Sequence, residues 1–201
     1  MAQGKIERLV KLDTALGGDL LFSRLEGDDA LSRNGEYRVT ALSRRGDIKA
    51  DELLGKTVSV VLTTAKGGRR QFNGLAMGFF QVSTVGRYHQ YLIIVRPWTW
   101  LLTRTSDCKI FQDKTIREII EAVLADHSYA DFEFQLTEKY KPWVYCVQYR
   151  ETDFNFIARL MEQEGMHFFF RHEGGKHTLV IADGSQAHEA APDYESVAYI
   201  E

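Results

Sequence analysis

The run Thr57-Val58-Ser59-Val60-Val61-Leu62-Thr63, the turn Lys66-Gly67-Gly68-Arg69 and the returning stretch from Gln71-Phe72 to Phe79-Phe80-Gln81-Val82 decide the fold of the first half of this chain. Val58, Val60 and Leu62 alternate onto one face, the period of a strand. Glycine at 67 and 68 takes positive φ without a steric penalty, so the turn joins a hairpin. Gly74 and Gly78 interrupt the returning strand and read as bulge or sharp-bend positions. The chain turns again at Val85-Gly86-Arg87 and enters Tyr88 to Val95, apolar on alternate and intervening positions alike, hence a strand expected to be buried on both faces. Pro97 ends it, because proline has no N–H for the ladder. Upstream, Arg38-Val39-Thr40-Ala41-Leu42 after Tyr37 alternates in part. Short strands at regular spacing with glycine turns indicate a small barrel or a sandwich.

The pattern changes after Trp100. Thr115-Ile116-Arg117-Glu118 is a capping box, in which the hydroxyl caps an orphan N–H and the carboxylate reaches back. Ile116, Ile119, Ile120, Val123 and Leu124 then form one helical stripe, closed by Asp126-His127-Ser128. Phe132 to Leu136 and Trp143 to Tyr149 read as strands. Thr152 or Asp153 caps a second helix, with Phe156, Ile157, Leu160 and Met161 on its apolar face and Gly165 at its C′ position. A hairpin follows: His167 to His172, a Gly174-Gly175 turn, then Thr178 to Ile181. The polar tail from Asp183 to Glu201 has weak periodicity, and no repeat of 20–50 residues is visible.

At 201 residues, 44% hydrophobic and 26% charged, the chain is an ordinary globular sequence and is not disordered throughout. Its net charge of −3 gives no general attraction to nucleic acid or to anionic membrane. Residues 1–100 carry fifteen Lys and Arg against ten Asp and Glu, net +5; residues 101–201 carry ten against eighteen, net −8. Such polarity suits two subdomains or self-assembly through complementary surfaces, and equally suits chance spread over solvated faces. Met1 to Lys5 is polar with no apolar stretch behind it, so no secretory signal is expected. The apolar run Tyr91 to Val95 is far shorter than the roughly 20 residues of a spanning helix.

Candidate chemistry is sparse. Nucleotide-binding glycine loops, a phosphate-binding loop, His-Glu-x-x-His and Gly-x-Ser-x-Gly do not occur. Cys108 and Cys146 cannot build a disulfide framework or a four-ligand zinc site, and read as two buried thiols in a reducing compartment. His167 and His172, five apart on one strand, point to opposite faces and cannot share a metal. His172 and His177 flank the turn and can meet across it, although solvated hairpin histidines are the plainer reading. The neighbouring carboxylates Asp28-Asp29 and Asp51-Glu52 diverge, unlike a glycosidase pair. Arg44-Arg45 and Arg69-Arg70 read as surface charge, without the interleaved aromatics of a single-strand platform apart from nearby Phe72. No catalytic residue, cofactor site or metal site is assigned, which favours a structural or interaction protein.

One stretch says more than its physics. Gln148-Tyr149-Arg150-Glu151-Thr152-Asp153-Phe154-Asn155-Phe156-Ile157-Ala158-Arg159-Leu160-Met161-Glu162-Gln163-Glu164-Gly165-Met166 resembles a signature of VgrG proteins, the tip spikes of the bacterial type VI secretion system. Other elements agree in order: Phe72-Asn73-Gly74, Tyr91 through Pro97 to Leu102, Cys108 to Thr115 with Phe111, and His167-Phe168-Phe169-Phe170 with Leu179 to Asp183. The resemblance spans about Ile6 to Asp183. The motif residues Phe72, Gly74, Pro97, Phe111, Gln148, Tyr149, Asp153, Phe154, Phe156, Arg159, Leu160, Glu164 and Gly165 are expected to be structural.

The resemblance implies a β-rich α+β fold like the baseplate hub of contractile phages. A small tube-like β-barrel in residues 1–100 would be followed by an α+β segment in 101–201. It implies a trimer whose barrels form a pseudo-sixfold ring on the Hcp tube protein, carrying effector or adaptor proteins. Assembly would take place in the bacterial cytoplasm without a signal peptide, with delivery into a target cell by the secretion system. It implies no turnover and no nucleic-acid partner. Trp98-Thr99-Trp100 and Phe168-Phe169-Phe170 are candidate contacts between subunits, although a core position is the commoner fate of such residues. The family's OB-fold and needle are absent, so the sequence reads as an engineered fragment or a natural truncation. A phage tail hub protein, a small-ligand-binding barrel and a hydrolase with a polar cleft are the alternatives.

Overall fold

The computed structural model describes residues 9–188 together with Ala190 and Ser196; the start Met1 to Lys5 and nearly all of the tail beyond His188 lie outside them. Strands β1 (Val10–Asp13), β2 (Leu21–Asp28), β3 (Glu36–Ser43), β4 (Thr57–Thr63), β5 (Arg69–Val85) and β6 (Tyr88–Arg96) form one antiparallel sheet in the order β1-β4-β5-β6-β3-β2. The sheet curls until its outer strands β1 and β2 come near each other without forming a ladder. It is a half-barrel with a seam between β1 and β2, the small tube-like β-barrel that the sequence leads one to expect in this half. Leu12, Tyr37, Val39, Ala41, Val58, Val60, Ala76, Tyr91, Ile93 and Val95 fill its concave face. Phe79 stacks on Tyr91 at 4.9 Å. Side chains thus occupy the space that a small-ligand barrel would leave open.

Two local expectations need correction, at Gly74 and in β6. β5 is one continuous 17-residue strand. Its register shifts lie between Ala76 and Gly78 and between Gln81 and Ser83, so Gly78 borders a bulge while Gly74 keeps regular register opposite Val58. Gly74 answers to close approach instead: a Cβ there would fall 2.6 Å from Val95 Cγ1 and 2.8 Å from the Arg96 carbonyl oxygen. Gly74→Ala is expected to destabilise by about 2 kcal/mol, read as a lower urea midpoint, because backbone on the neighbouring strand cannot step aside. Finally, β6 is fully buried on one face only. Tyr91, Ile93 and Val95 face the core, while Leu92 and Ile94 are half-buried on the convex side.

After Pro97 the chain makes a 3₁₀ turn, Trp98–Thr103, and builds a second lobe. β7 (Ser106–Phe111) pairs antiparallel with β9 (Cys146–Thr152) as a two-stranded ribbon. The hairpin β10 (His167–Glu173) and β11 (Lys176–Ala182) takes β8 (Phe132–Gln135) as a parallel third strand. Helices α1 (Ile116–Ala125) and α2 (Asp153–Gln163) fall where periodicity placed them. The capping box forms: Thr115 Oγ1 accepts from Glu118 N at 3.3 Å, and Glu118 Oε2 accepts from Thr115 N at 2.8 Å. All five residues of the α1 stripe are buried. α2 is capped by Thr152, whose Oγ1 accepts from Asn155 N. Gly165 has φ +73°, and Met166 N donates to the Met161 carbonyl at 2.8 Å, closing the helix as a C′ glycine should. The apolar cluster of this lobe runs from Trp98 to Ile181, separate from the cluster under the half-barrel.

β9 begins at Cys146, three residues later than the sequence suggested. Trp143 makes one isolated bridge to Lys114, and its indole N–H donates to Glu164 at 3.0 Å; that anchor holds it off the ladder. Cys108 is exposed while Cys146 is buried, so only one of the two thiols expected in the core is there. Strand alternation is the reason: Cys108 lies on the outer face of the ribbon, opposite in direction to Phe111 and Cys146.

Candidate functional site

Two polar networks organise the molecule, and the residues of the sequence signature lie on or beside them. The first is within the second lobe. Gln148 on β9 is fully buried and donates to Asp153 Oδ1 at 2.7 Å. Asp153, the first residue of α2, also receives Thr105 Oγ1 at 2.6 Å and His127 Nε2 at 3.0 Å on its other oxygen. An ionised carboxylate only accepts, so His127 carries its proton on Nε2, and its Nδ1 accepts from Tyr129 Oη at 3.0 Å. Burial works against the Asp153 carboxylate, but the bonds from Thr105, Gln148 and His127 outweigh it and hold its pKa below the usual range. Carboxylate, imidazole and phenol stand in line, yet each is already engaged, and Asp153 also starts a helix whose N-terminus favours negative charge. The arrangement locks β9, α2 and the segment after α1 together. Gln148 Oε1 is buried without a partner among the described residues.

The other signature residues divide between packing and surface. Phe156 and Leu160 are fully buried, and Phe156 stacks on Phe111 with centroids 5.7 Å apart. Phe154 meets Phe168 edge-on at 6.1 Å. Arg159 grips Glu151 through Nε and Nη2 and donates to the Val147 carbonyl, tying α2 to β9. Glu164 receives Trp143. Tyr149 points away from all of this and is 63% exposed.

The second network joins the lobes. The β10–β11 hairpin lies on the convex face of β5, where Gln71 and Asn73 point, while Phe72 and Gly74 face inward. Asn73 N donates to His172 Nδ1 at 2.9 Å, and Asn73 Nδ2 donates to the Lys176 carbonyl at 2.6 Å. Asn73 Oδ1 accepts from Ser59 Oγ at 2.5 Å, and Gly175 N donates to Gln71 Oε1 at 3.1 Å. One strand position on, His177 Nε2 accepts from Trp98 N at 2.9 Å, just where Pro97 has ended β6. Farther along, Ser32 N donates to the Phe168 carbonyl and Thr99 Oγ1 to Asn34 Oδ1.

His172 and His177 are directly paired across the hairpin. They do meet across the turn, but they are not solvated. His177 is 7% exposed, and each ring accepts a backbone N–H from the other lobe, which only a neutral imidazole can do. Burial pushes both below the ordinary histidine value, His177 to about 4, and the neighbouring His172 adds to the shift. Asn73 carried a usable signal, an amide between Phe72 and Gly74 on a strand, but nothing local marks it as the centre of a joint.

This chain matches the family described as the phage tail baseplate hub (GPD) over residues 28–201. It is 45% identical over 99% of its length to the type VI secretion system spike protein VgrG1b of Pseudomonas aeruginosa, and 45% identical over 97% to VgrG1a of the same organism. It spans only 27% and 30% of those relatives, less than a third of either. Among solved structures it superposes on the E. coli c3393 protein, a component of the type VI secretion system, with a TM-score of 0.77 at 24% identity, over 89% of this chain and 50% of that one. A 43 kDa tail protein of prophage MuSo2 from Shewanella oneidensis gives 0.61 at 17% identity, over 86% and 52%. The chain belongs to the phage tail baseplate hub family, and its sequence likeness within that family is to VgrG spike proteins.

Proposed function

We propose that this chain is the hub-like part of a VgrG-type spike, a structural piece that caps the tube of a type VI secretion system. The observation that carries this reading is the hub-family match over residues 28–201, borne on a curled antiparallel sheet of the kind that lines a ring. In this reading the half-barrel, residues 1–100, is the ring-forming subdomain and residues 101–201 brace it from outside. The two separate apolar clusters, meeting near Pro97, support that division. The signature residues serve the brace, with Gln148 and Asp153 fixing α2 against β9. The role is mechanical, without turnover. The complete spike would assemble as a trimer in the bacterial cytoplasm, take up effector or adaptor proteins, and leave with the tube.

The test is mass photometry or sedimentation of this chain mixed with the hexameric tube protein. A complex of chain and tube ring is expected. A chain that stays free at micromolar concentrations of both would overturn the capping role and leave only the fold relationship. A phage tail hub is the second reading, favoured by the fold shared with the prophage tail protein. A phage tube protein in place of the Hcp tube, run as a parallel arm, separates the two.

A further inference from the structure

We infer that the cleft between the start of β5 and the outer edge of β10 binds a short, extended, acidic segment of a partner protein, which enters it as an added strand. This rests on the reading above in one respect, that a spike takes up other proteins. The site itself rests on strand register and charge.

β10 is the outer strand of its sheet, in the order β10-β11-β8. Its hairpin closes through Glu173 and Lys176 across the Gly174-Gly175 turn, so every second residue from Glu173 back bonds to β11. Phe168, Phe170 and His172 fall between these and turn their backbone groups outward. At Phe168 that edge is used: its carbonyl accepts from Ser32 N, and its N–H donates to Ser32 Oγ at 3.4 Å. At Phe170 and His172 the outward backbone groups have no partner among the described residues.

β5 presents a second open edge. β6 ends at Arg96, opposite Leu75, so residues 69–74 of β5 pair with β4 alone. On the side away from β4, Asn73 N is taken by the His172 ring. Two and four residues back, Gln71 and Arg69 turn their backbone groups the same way, without a backbone partner among the described residues. Such edges are templates for another strand unless something covers them.

A cleft of about 450 Å³ lies here, bounded by residues 69–71, 169–172 and 186–188. Its charged lining is arginine throughout, Arg69, Arg70 and Arg171, and no carboxylate lines it among the described residues. Glu133 holds Arg171 at 2.6 and 2.7 Å and offsets that one charge. Arg69 is exposed and in no ion pair with a carboxylate among the described residues. Glu173 and Asp29 act on Arg171 and His172 from outside the lining. No Asp or Glu occurs between Glu52 and Asp107, so β5 and the strands beside it add none. Phe169 supplies an apolar wall, its ring 4.8 Å from that of His188. Open backbone edges select an extended peptide, and arginines select carboxylates on it. A single-stranded oligonucleotide would use the arginines and the Phe169 ring but leave both edges unpaired. The opening is three residues long on either side, about 10 Å of extended chain, so the contact is short and salt-sensitive.

The test is fluorescence anisotropy of a labelled peptide of about ten residues, Glu and Val in alternation, which as a strand sets its carboxylates on one face. Saturable binding to this chain is expected, with a dissociation constant below about 100 micromolar. Arg69→Glu should weaken it at least about tenfold, a loss of ~1.4 kcal/mol. Arg69 is exposed, so the variant is expected to keep its fold, checked by circular dichroism and melting temperature. A peptide with Pro in place of each Val keeps the charge and loses strand pairing, and should also bind at least about tenfold more weakly. No saturable binding of the Glu-Val peptide up to about 1 millimolar overturns the inference. So does equal binding by Arg69→Glu, which moves the contact elsewhere, or equal binding of the proline peptide, which leaves charge without an added strand. Tighter binding of a thymidine oligonucleotide of the same length makes the cleft a nucleic-acid platform instead. Tube binding is measured on the same samples. Peptide binding without tube binding sinks only the capping role, and tube binding without peptide binding sinks only this site.

Discussion

Asp153→Ala is expected to cost about 4 kcal/mol of folding stability, a large share of the whole for a domain of this size. Three donors converge on that carboxylate, from buried Gln148 and half-buried Thr105 and His127, and the carboxylate itself is buried. Removing the acceptor leaves those donors desolvated and unpaired, which costs more than the bonds themselves contributed. The melting temperature should fall by roughly 10 °C. Asp153→Asn keeps one acceptor oxygen but presents an amide where a second donor points, so an intermediate loss of about 2 kcal/mol is expected. Urea unfolding of the three proteins at pH 7 measures this directly. An alanine variant within 1 kcal/mol of the parent would mean that water replaces the carboxylate and that the network does not brace the lobe.

The contrast between that network and the helices around it shows what a sequence discloses. α1 was readable because five apolar residues at helical spacing and a Thr-x-x-Glu cap agree on one element, and both signals are local. The same holds for Gly165 and for the Gly174-Gly175 turn, where positive φ is a property of the backbone itself. Asp153 looked like a cap, since Asp next to Thr at the start of an apolar helix always does. Its true partners lie 48, 26 and 5 residues away, and no spacing rule reaches them. Gly74 stands out in the sequence, but close approach and not a bulge is the reason. A glycine in a strand signals either a bulge or a close neighbour, and only the position of Val95 and Arg96 decides between them. Cys108 is exposed where composition suggests a core thiol, because one residue of register on a two-stranded ribbon turns a side chain from core to solvent. The resemblance to spike proteins compensated for these gaps at the level of fold. It did not disclose the joint, whose residues Asn73 and His172 are 99 positions apart.

That joint leads to the second large effect, a loss of stability on mild acidification. His177 is held near pKa 4 in the folded chain, against about 6.5 when unfolded. The unfolded chain therefore binds the proton more readily, and stability falls as pH drops from 6.5 toward 4. The gap corresponds to about 3 kcal/mol from His177, and His172, lowered by the same burial, adds in the same direction. Geometry explains why the proton is refused: Nε2 of His177 and Nδ1 of His172 already accept N–H groups from Trp98 and Asn73. The charges facing the pair do not remove the effect. Asp131 and Asp29 favour protonation, Arg70 opposes it, and the burial they compete with is the larger influence. The carboxylates held low, among them Asp153, Glu36 and Glu133, have ordinary values of 3.8 to 4.5, and their contribution is lost only as pH falls below that range. The interval from pH 6.5 to 4.5 thus reports chiefly on histidines. Urea unfolding at pH 7, 6, 5 and 4.5 should show a steep decline in the parent. In His177→Gln, whose amide oxygen can still accept from Trp98 but does not titrate, at least half of that decline should disappear. Equal slopes in both proteins would mean that His177 is solvated and that the lobes are held by the Asn73 contacts alone.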